Sequence, residues 1–289
     1  MLIVRITGGM GNQMFQYVYG RVIEKKYRQK LSLDLTWYNI SSTHRYRDLE
    51  SHESYRLSAF GIEPEVVSES TSRFHNSKVG KAINLVHFQL INRGIKPLWP
   101  AYFQGYWLGE SFFEHMKDEV ANIFELPSIS NPNALNFKAQ IENGSTAVSM
   151  HIRRGDYKNY KHLQVCTPEY YKSAISYLDD ALGEYQLYIF SDDIAYCQEM
   201  LKGYDNITYI TNSGSDLDEF QLMIHCKHHV ISNSTFSWWS AWLGENKNKD
   251  NRMVLTPDRW FNRKEGESQA AKSQDVSKII PDRWVKIEF

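Results

Sequence analysis

In the second half of the chain the apolar positions follow two periods in turn. Short β-branched and aromatic runs at residues 147–152, 186–190, 207–210, 229–232 and 252–256 predict strands. The stretches between them, 168–182, 193–202, 216–226 and 235–243, predict helices. Within 216–226, Leu217, Phe220, Met223 and Ile224 recur at helical spacing, and Asp216 with Glu219 resembles a capping box. Such alternation predicts an α/β fold with a parallel sheet covered on both faces. The first half opens in the same way: a strand over 2–7, a glycine-rich turn, a helix over 12–29 and a second strand over 30–35. From Trp37 to Glu69 no period is clean, after which 79–90 and 112–124 read as helices. Asn-Pro-Asn and Asn-Gly-Ser cluster between Asn131 and Gly144, which places the junction between domains 1–143 and 144–289 there. No internal repeat or low-complexity tract is visible.

Composition narrows the function classes. The chain has 289 residues, 42% of them hydrophobic, which suits two domains of ordinary size and excludes a largely disordered protein. A net charge of -1, from 33 basic and 34 acidic side chains, gives no overall field toward nucleic acid or an anionic surface, so any phosphate site is local. Cys166, Cys197 and Cys226 match neither a zinc cluster nor a disulfide framework and read as reduced, mostly buried thiols. No run approaches the roughly 20 apolar residues that span a bilayer. The expected location is cytoplasmic or peripheral at the inner membrane face.

Three loops concentrate the chemistry. The strand over 147–152 runs into His151-Ile152-Arg153-Arg154-Gly155-Asp156, and open α/β sheets bind ligands beyond the carboxyl ends of their strands. Alternation puts His151 and Arg153 on one side and Arg154 on the other. Arg153 can then hold a diphosphate through paired charge-assisted hydrogen bonds, while Asp156 is expected to pair with Arg154 and fix the loop. The strand over 186–190 ends in Ser191-Asp192-Asp193, where one acid is expected to cap the next helix and the other to bind a guanine edge or a ribose. The strand over 229–232 leads through Asn233 and Ser234 into Thr235, Phe236 and Ser237 at a helix N-terminus, a ready anion site. Trp238, Trp239 and Trp242 on that helix read as core.

Two other motifs are weaker. Gly8-Gly9-Met10-Gly11-Asn12-Gln13 follows a strand, but Met14 stands where a dinucleotide fingerprint needs its third glycine, so an NAD site rests mainly on Asp34. The favoured alternative lets the glycine backbone approach a sugar, with Asn12 and Gln13 supplying hydrogen bonds. Asp216-Leu217-Asp218 matches the Asp-x-Asp of metal-dependent glycosyltransferases but has capping character, and no metal site is assigned.

Taken in order, 9–16 (Gly-Met-Gly-Asn-Gln-Met-Phe-Gln), 102–107 (Tyr-Phe-Gln-Gly-Tyr-Trp), 151–157, 190–193 and 232–239 resemble the bacterial α-1,2-fucosyltransferases, of the glycosyltransferase family 11 type, relatives of the α-1,6- and protein O-fucosyltransferases. The resemblance implies a GT-B-type fold with two Rossmann-like lobes facing a cleft, the first acceptor-side and the second binding the donor. It also implies an inverting transfer from GDP-fucose to the 2-hydroxyl of a galactose-terminated glycan such as O-antigen, without cofactor or metal. By the same resemblance Arg153 meets the β-phosphate, and His151 with Asp192 or Asp193 approaches the nucleoside. Ser234, Thr235, Phe236 and Ser237 lie by the diphosphate, Asn12 lies near the reacting groups, and Gly11, Gln13, Arg154 and Asp156 complete the donor-side set. The position at which some α-1,6 relatives carry a glutamate base is Lys161, which leaves the base among Asp34, Glu50, Glu53 and Asp156. A fucosyltransferase of another linkage and a non-catalytic carbohydrate-binding protein are the competing readings.

Overall fold

A computed structural model describes residues 1–41, 54–97, 100–248, 252–262 and 278–289. The chain divides into two units, Met1–Phe124 and Glu125–Phe289. In the first, β1 (Leu2–Arg5) is the central strand of a parallel sheet, flanked by β2 (Leu31–Asp34) and β3 (Ala101–Phe103). Leu2, Ile3 and Val4 are all fully buried, as befits a central parallel strand covered on both faces. Helix α1 (Met10–Tyr27) starts straight after the glycine turn and ends on Arg28 in the left-handed region, with Lys25 and Lys26 favourably placed in its last turn. Three helices follow: α2 (Thr36–Ser41), α3 (Glu69–Asn76) and α4 (Lys78–Asn92). Ser68 caps α3 and Ser77 caps α4. The single helix expected over 112–124 is instead two one-turn 3-10 segments, Glu110–Phe112 and Glu114–Met116, and then α5 (Lys117–Ile123).

The second unit opens with α6 (Pro132–Asn143), in the segment the sequence offers as a junction. Asn131 caps it and Pro132 takes the first helical turn, where a missing N–H costs nothing, so residues that look like breakers start a helix. Then come β4 (Ala147–Ile152), α7 (Pro168–Leu182), β5 (Gln186–Ser191), α8 (Ile194–Met200), β6 (Ile207–Tyr209) and α9 (Asp216–His225). The unit continues with β7 (His228–Val230), α10 (Thr235–Asn248), β8 (Val254–Pro257) and β9 (Val285–Ile287). All six strands are parallel, in the order β6-β5-β4-β7-β8-β9. The mixed α/β class with parallel sheets is therefore observed.

Side chains of β4 alternate between two cores, Val148, Met150 and Ile152 packing with Tyr170 and Tyr171, and Ala147 packing with Phe190, Leu222 and Met223. Trp238, Trp239 and Trp242 are fully buried, and Trp238 Nε1 donates to the Ile279 carbonyl at 2.8 Å, so the tryptophans are core, as expected. The three cysteines are free thiols; Cys197 and Cys226 are buried and Cys166 half-buried.

Candidate active site

The order β5-β4-β7 brings the carboxyl ends of the three loop-bearing strands side by side. His151 pairs in register with Phe190, Ile152 with Ser191, and Met150 with Val230. The loops touch one another directly: His151 Nδ1 shares a hydrogen bond with Ser232 Oγ (3.0 Å), Tyr157 OH donates to the Asn233 carbonyl (3.2 Å), and Arg153 Nη1 meets Asp192 Oδ2 at 2.7 Å. The sequence thus placed His151, Arg153, Asp192 and the start of α10 in one site, and the structure brings them together.

Arg153 lies between two carboxylates. Its Nη2 and Nε donate to Asp156 Oδ1 at 2.7 and 3.1 Å, opposite the Asp192 contact, and Tyr157 lies against the guanidinium plane at 5.9 Å. This corrects the expected Arg154–Asp156 pair. The chain does not stay extended past Arg153: Gly155 turns it into a 3-10 segment, Asp156–Asn159, which returns Asp156 to the residue three before it. Arg154 points the other way, onto the ring of Tyr196 at 3.4 Å, and its Nε donates to Asp193 Oδ2. Lys158 also pairs with Asp193.

One of the two acids caps the next helix, as expected, and the other is taken up by the arginine loop. Asp193 caps α8 by accepting from the Tyr196 N–H. Asp192 accepts from the N–H groups of Arg154 (2.9 Å) and Gly155 (3.1 Å) as well as from Arg153. A Cβ at Gly155 would stand 2.7 Å from Asp192 Oδ2, so a larger residue there displaces that carboxylate.

Burial, then the nearby Arg153 charge, lower the His151 pKa to about 4, with Asp192 opposing, so the imidazole is neutral at pH 7. Its ring faces Phe236, which also packs on Phe220. At the α10 N-terminus Ser234 Oγ accepts from the Phe236 N–H, and Thr235 and Phe236 are partly exposed. Ser237 is fully buried, its hydroxyl directed to the carbonyls of Ser232 and Ser234, which sets it behind the site.

Two residues of this edge escaped the sequence reading as site members. Tyr157 follows the arginine loop, and its hydroxyl pKa is raised, by burial first. Glu219, in the first turn of α9, has its carboxyl pushed up to about 7 by burial and by Asp216, Asp192 and Asp218, against a hydrogen bond from Ser213. Its sequence signal was read as capping. The capping box is instead Ser215 with Asp218, and Asp218 of the Asp-x-Asp is thereby engaged.

In the first unit the glycine turn is built around α1. Gly8 has φ +77°, Gly11 is buried, and Gln13 is fully buried with its amide donating to the carbonyls of Gly8 and Ser54 and accepting from the Arg56 N–H. Gln13 therefore ties the turn to the 54–56 segment, leaving Asn12 as the partly exposed amide of the pair. Asp34 is fully buried and accepts from Ser72 Oγ, Tyr102 OH, and both the N–H and Oγ1 of Thr36. Burial raises its pKa, but these bonds outweigh it and hold the carboxyl below the usual range. A carboxylate so fully engaged neither binds a ribose nor takes a proton from an acceptor. The candidate bases Glu50 and Glu53 lie outside the described residues.

A family model described as glycosyl transferase family 11 matches residues 85–275, more than half of the chain and all of the arginine-loop site. The chain belongs to that family. This glycosyltransferase is 31% identical to the alpha-1,2-colitosyltransferase of Escherichia coli, with 100% of this chain and 99% of the relative covered. It is 28% identical to the O-antigen biosynthesis glycosyltransferase WbnK of Escherichia coli, at 98% and 99% coverage. Over 48% of this chain and 44% of the relative it is 30% identical to the galactoside alpha-(1,2)-fucosyltransferase 2 of Bos taurus. The fold is similar to that of the fucosyltransferase NodZ from Bradyrhizobium, with TM-score 0.52 and 11% identity over 83% of this chain and 90% of that one. Among the described residues no helix is long and apolar enough to cross a membrane.

Proposed function

We propose that this family 11 glycosyltransferase moves L-fucose from GDP-β-L-fucose to the 2-hydroxyl of a terminal galactoside, with inversion and without a metal, on a glycan such as O-antigen. The observation that carries the reading is the guanidinium of Arg153, held by Asp156 and Asp192 beside the partly exposed N-terminus of α10. As the bond from fucose C1 to the β-phosphate oxygen breaks, charge grows on the diphosphate. Arg153 and the Ser234 and Thr235 N–H groups are preorganised donors for that charge and supply what a metal would otherwise give. Neutral His151, with the carboxyl groups of Asp192 and Glu219, offers a hydrogen-bonding edge for the guanosine end. The acceptor hydroxyl attacks C1 from the face opposite the departing GDP and releases its proton to solvent as the new C1–O bond forms.

A second donor has a specific observation behind it, because the relative matching the whole chain at 31% identity is named an alpha-1,2-colitosyltransferase. Colitose is fucose without its 3-hydroxyl, so both donors offer the same GDP to the same loops. The test is turnover of GDP-fucose and GDP-colitose with β-galactosides in EDTA, with product linkage read by NMR. An α-1,2-fucosyl product formed equally well with EDTA is expected. Preference for GDP-colitose would reassign the donor, and loss of turnover in EDTA would overturn the metal-free mechanism.

A further inference from the structure

We propose that the α3–α4 hairpin is a docking face for an anionic lipid bilayer. Ser77 is at once the C-cap of α3 and the N-cap of α4, so the two helices are joined without a loop. Their outer surface carries large apolar side chains among its polar ones. Val79, Leu85 and Val86 are 64, 58 and 54% exposed, and Phe74, Phe88 and Ile95 are exposed with them. Val79, Ile83, Val86 and Leu90 recur at i, i+4, i+7 and i+11, a single stripe at ~100° per residue. The inward side of α4 is occupied by Gly80, His87 and Ile91, so this stripe is a second apolar edge, additional to the one the core uses.

Charge selects the occupant. Between Glu69 and Glu110 there is no Asp or Glu, yet the segment holds Arg73, Lys78, Lys81, Arg93 and Lys96, in a chain whose net charge is -1. Arg73 is shared with Glu69, whereas Lys78, Lys81, Arg93 and Lys96 make no ion pair with a described residue. Lys78 and Lys81 fall on the same exposed arc as Leu85 and Ala82, where a lysine stem lies along apolar surface and carries its ammonium outward. Apolar side chains flanked by unpaired cations, with no anion among them, form the pattern that lies in the headgroup region of an anionic leaflet. An exposed apolar patch of this kind on an ordinary soluble surface is uncommon. A bilayer face also suits an enzyme whose acceptor is lipid-anchored, but the inference rests on the hairpin and not on the donor or acceptor chosen above.

The test is co-sedimentation of the full chain with phosphatidylglycerol-containing vesicles and with pure phosphatidylcholine vesicles, at low and high salt. Binding to the anionic vesicles that weakens with salt is expected, with little binding to phosphatidylcholine. The doubles Lys78→Glu/Lys81→Glu and Val79→Asp/Val86→Asp change exposed residues, so turnover of a soluble acceptor and thermal stability should stay near wild type. Each double should lower vesicle partitioning by about tenfold or more. No binding to anionic vesicles, equal binding to both vesicle types, or wild-type binding by both doubles overturns the proposal. So does concentration-dependent self-association, read by sedimentation velocity, that the same substitutions abolish, because the face would then belong to a second copy of the chain.

Discussion

Asp192 organises the arginine loop more than any other residue. One carboxylate gathers the N–H groups of Arg154 and Gly155 and the Nη1 of Arg153, so the position of the guanidinium depends on a turn where Asp192 lies close against Gly155. Gly155→Ala puts a methyl group 2.7 Å from Asp192 Oδ2 and forces that carboxylate to move. The expected result is a loss of about 1–3 kcal/mol of stability, in the range of overpacked sites. A fall in kcat/KM well beyond what the small change in melting temperature explains should accompany it, because Arg153 loses one of its two holders. Wild-type kinetics in Gly155→Ala would show that Asp192 does not set the geometry of Arg153. The sequence placed Arg153 and Arg154 on opposite sides correctly from strand alternation, yet it paired Asp156 with the wrong arginine. Alternation stops where Gly155 turns the chain, and no local pattern in Arg-Arg-Gly-Asp announces a 3-10 segment.

At the scale of elements, the strands and helices between Ala147 and Pro257 were legible to within a few residues, because β4 and β5 are short runs dominated by buried residues and α7 is bounded by Pro168 and Gly183, whereas β9 carries no such signal. What was not legible has physical causes. β3 is three residues long, too short for a period, and becomes a strand by pairing with β1. Helix α6 hides behind Asn131 and Pro132, which serve as cap and first turn as readily as they break a helix. Glu219 reads as a capping acid, and its burial, with Asp216, Asp192 and Asp218 nearby, gives it a raised pKa that no local pattern shows. Gln13 and Asp34 read as ligand-binding groups, whereas tertiary hydrogen bonds that no local pattern encodes engage both.

For the whole molecule, buried histidines set the response to acid. Burial lowers the pKa of His151 and His228 to about 4 and of His229 to about 3; His228 Nδ1 accepts the Met253 N–H, and His229 Nδ1 shares a hydrogen bond with Ser149 Oγ. Below the ordinary histidine value of about 6.5 the unfolded chain takes up protons that the native state refuses, so stability falls as pH falls. Glu219 has the opposite sign: raised to about 7, it keeps its proton in the native state between roughly 4.5 and 7 and favours the fold as pH drops through that window. His87, lowered by burial as well, acts in the same direction, so the histidines outweigh Glu219, and a net loss of order 3 kcal/mol between pH 6.5 and 5 is expected, read as a falling melting temperature. A melting temperature that is flat or rising from pH 7 to 5 would contradict this balance. In the proposed reaction Arg153, and not a metal, stabilises the departing diphosphate. That role is tested most directly by kcat/KM for the donor in Arg153→Ala and Arg153→Lys, each checked for native circular dichroism. A loss on the order of 10²–10³ is expected for alanine and a substantial loss for lysine, which keeps the charge but not the paired geometry; a folded Arg153→Ala enzyme with near-wild-type kcat/KM would show that Arg153 does not play this part.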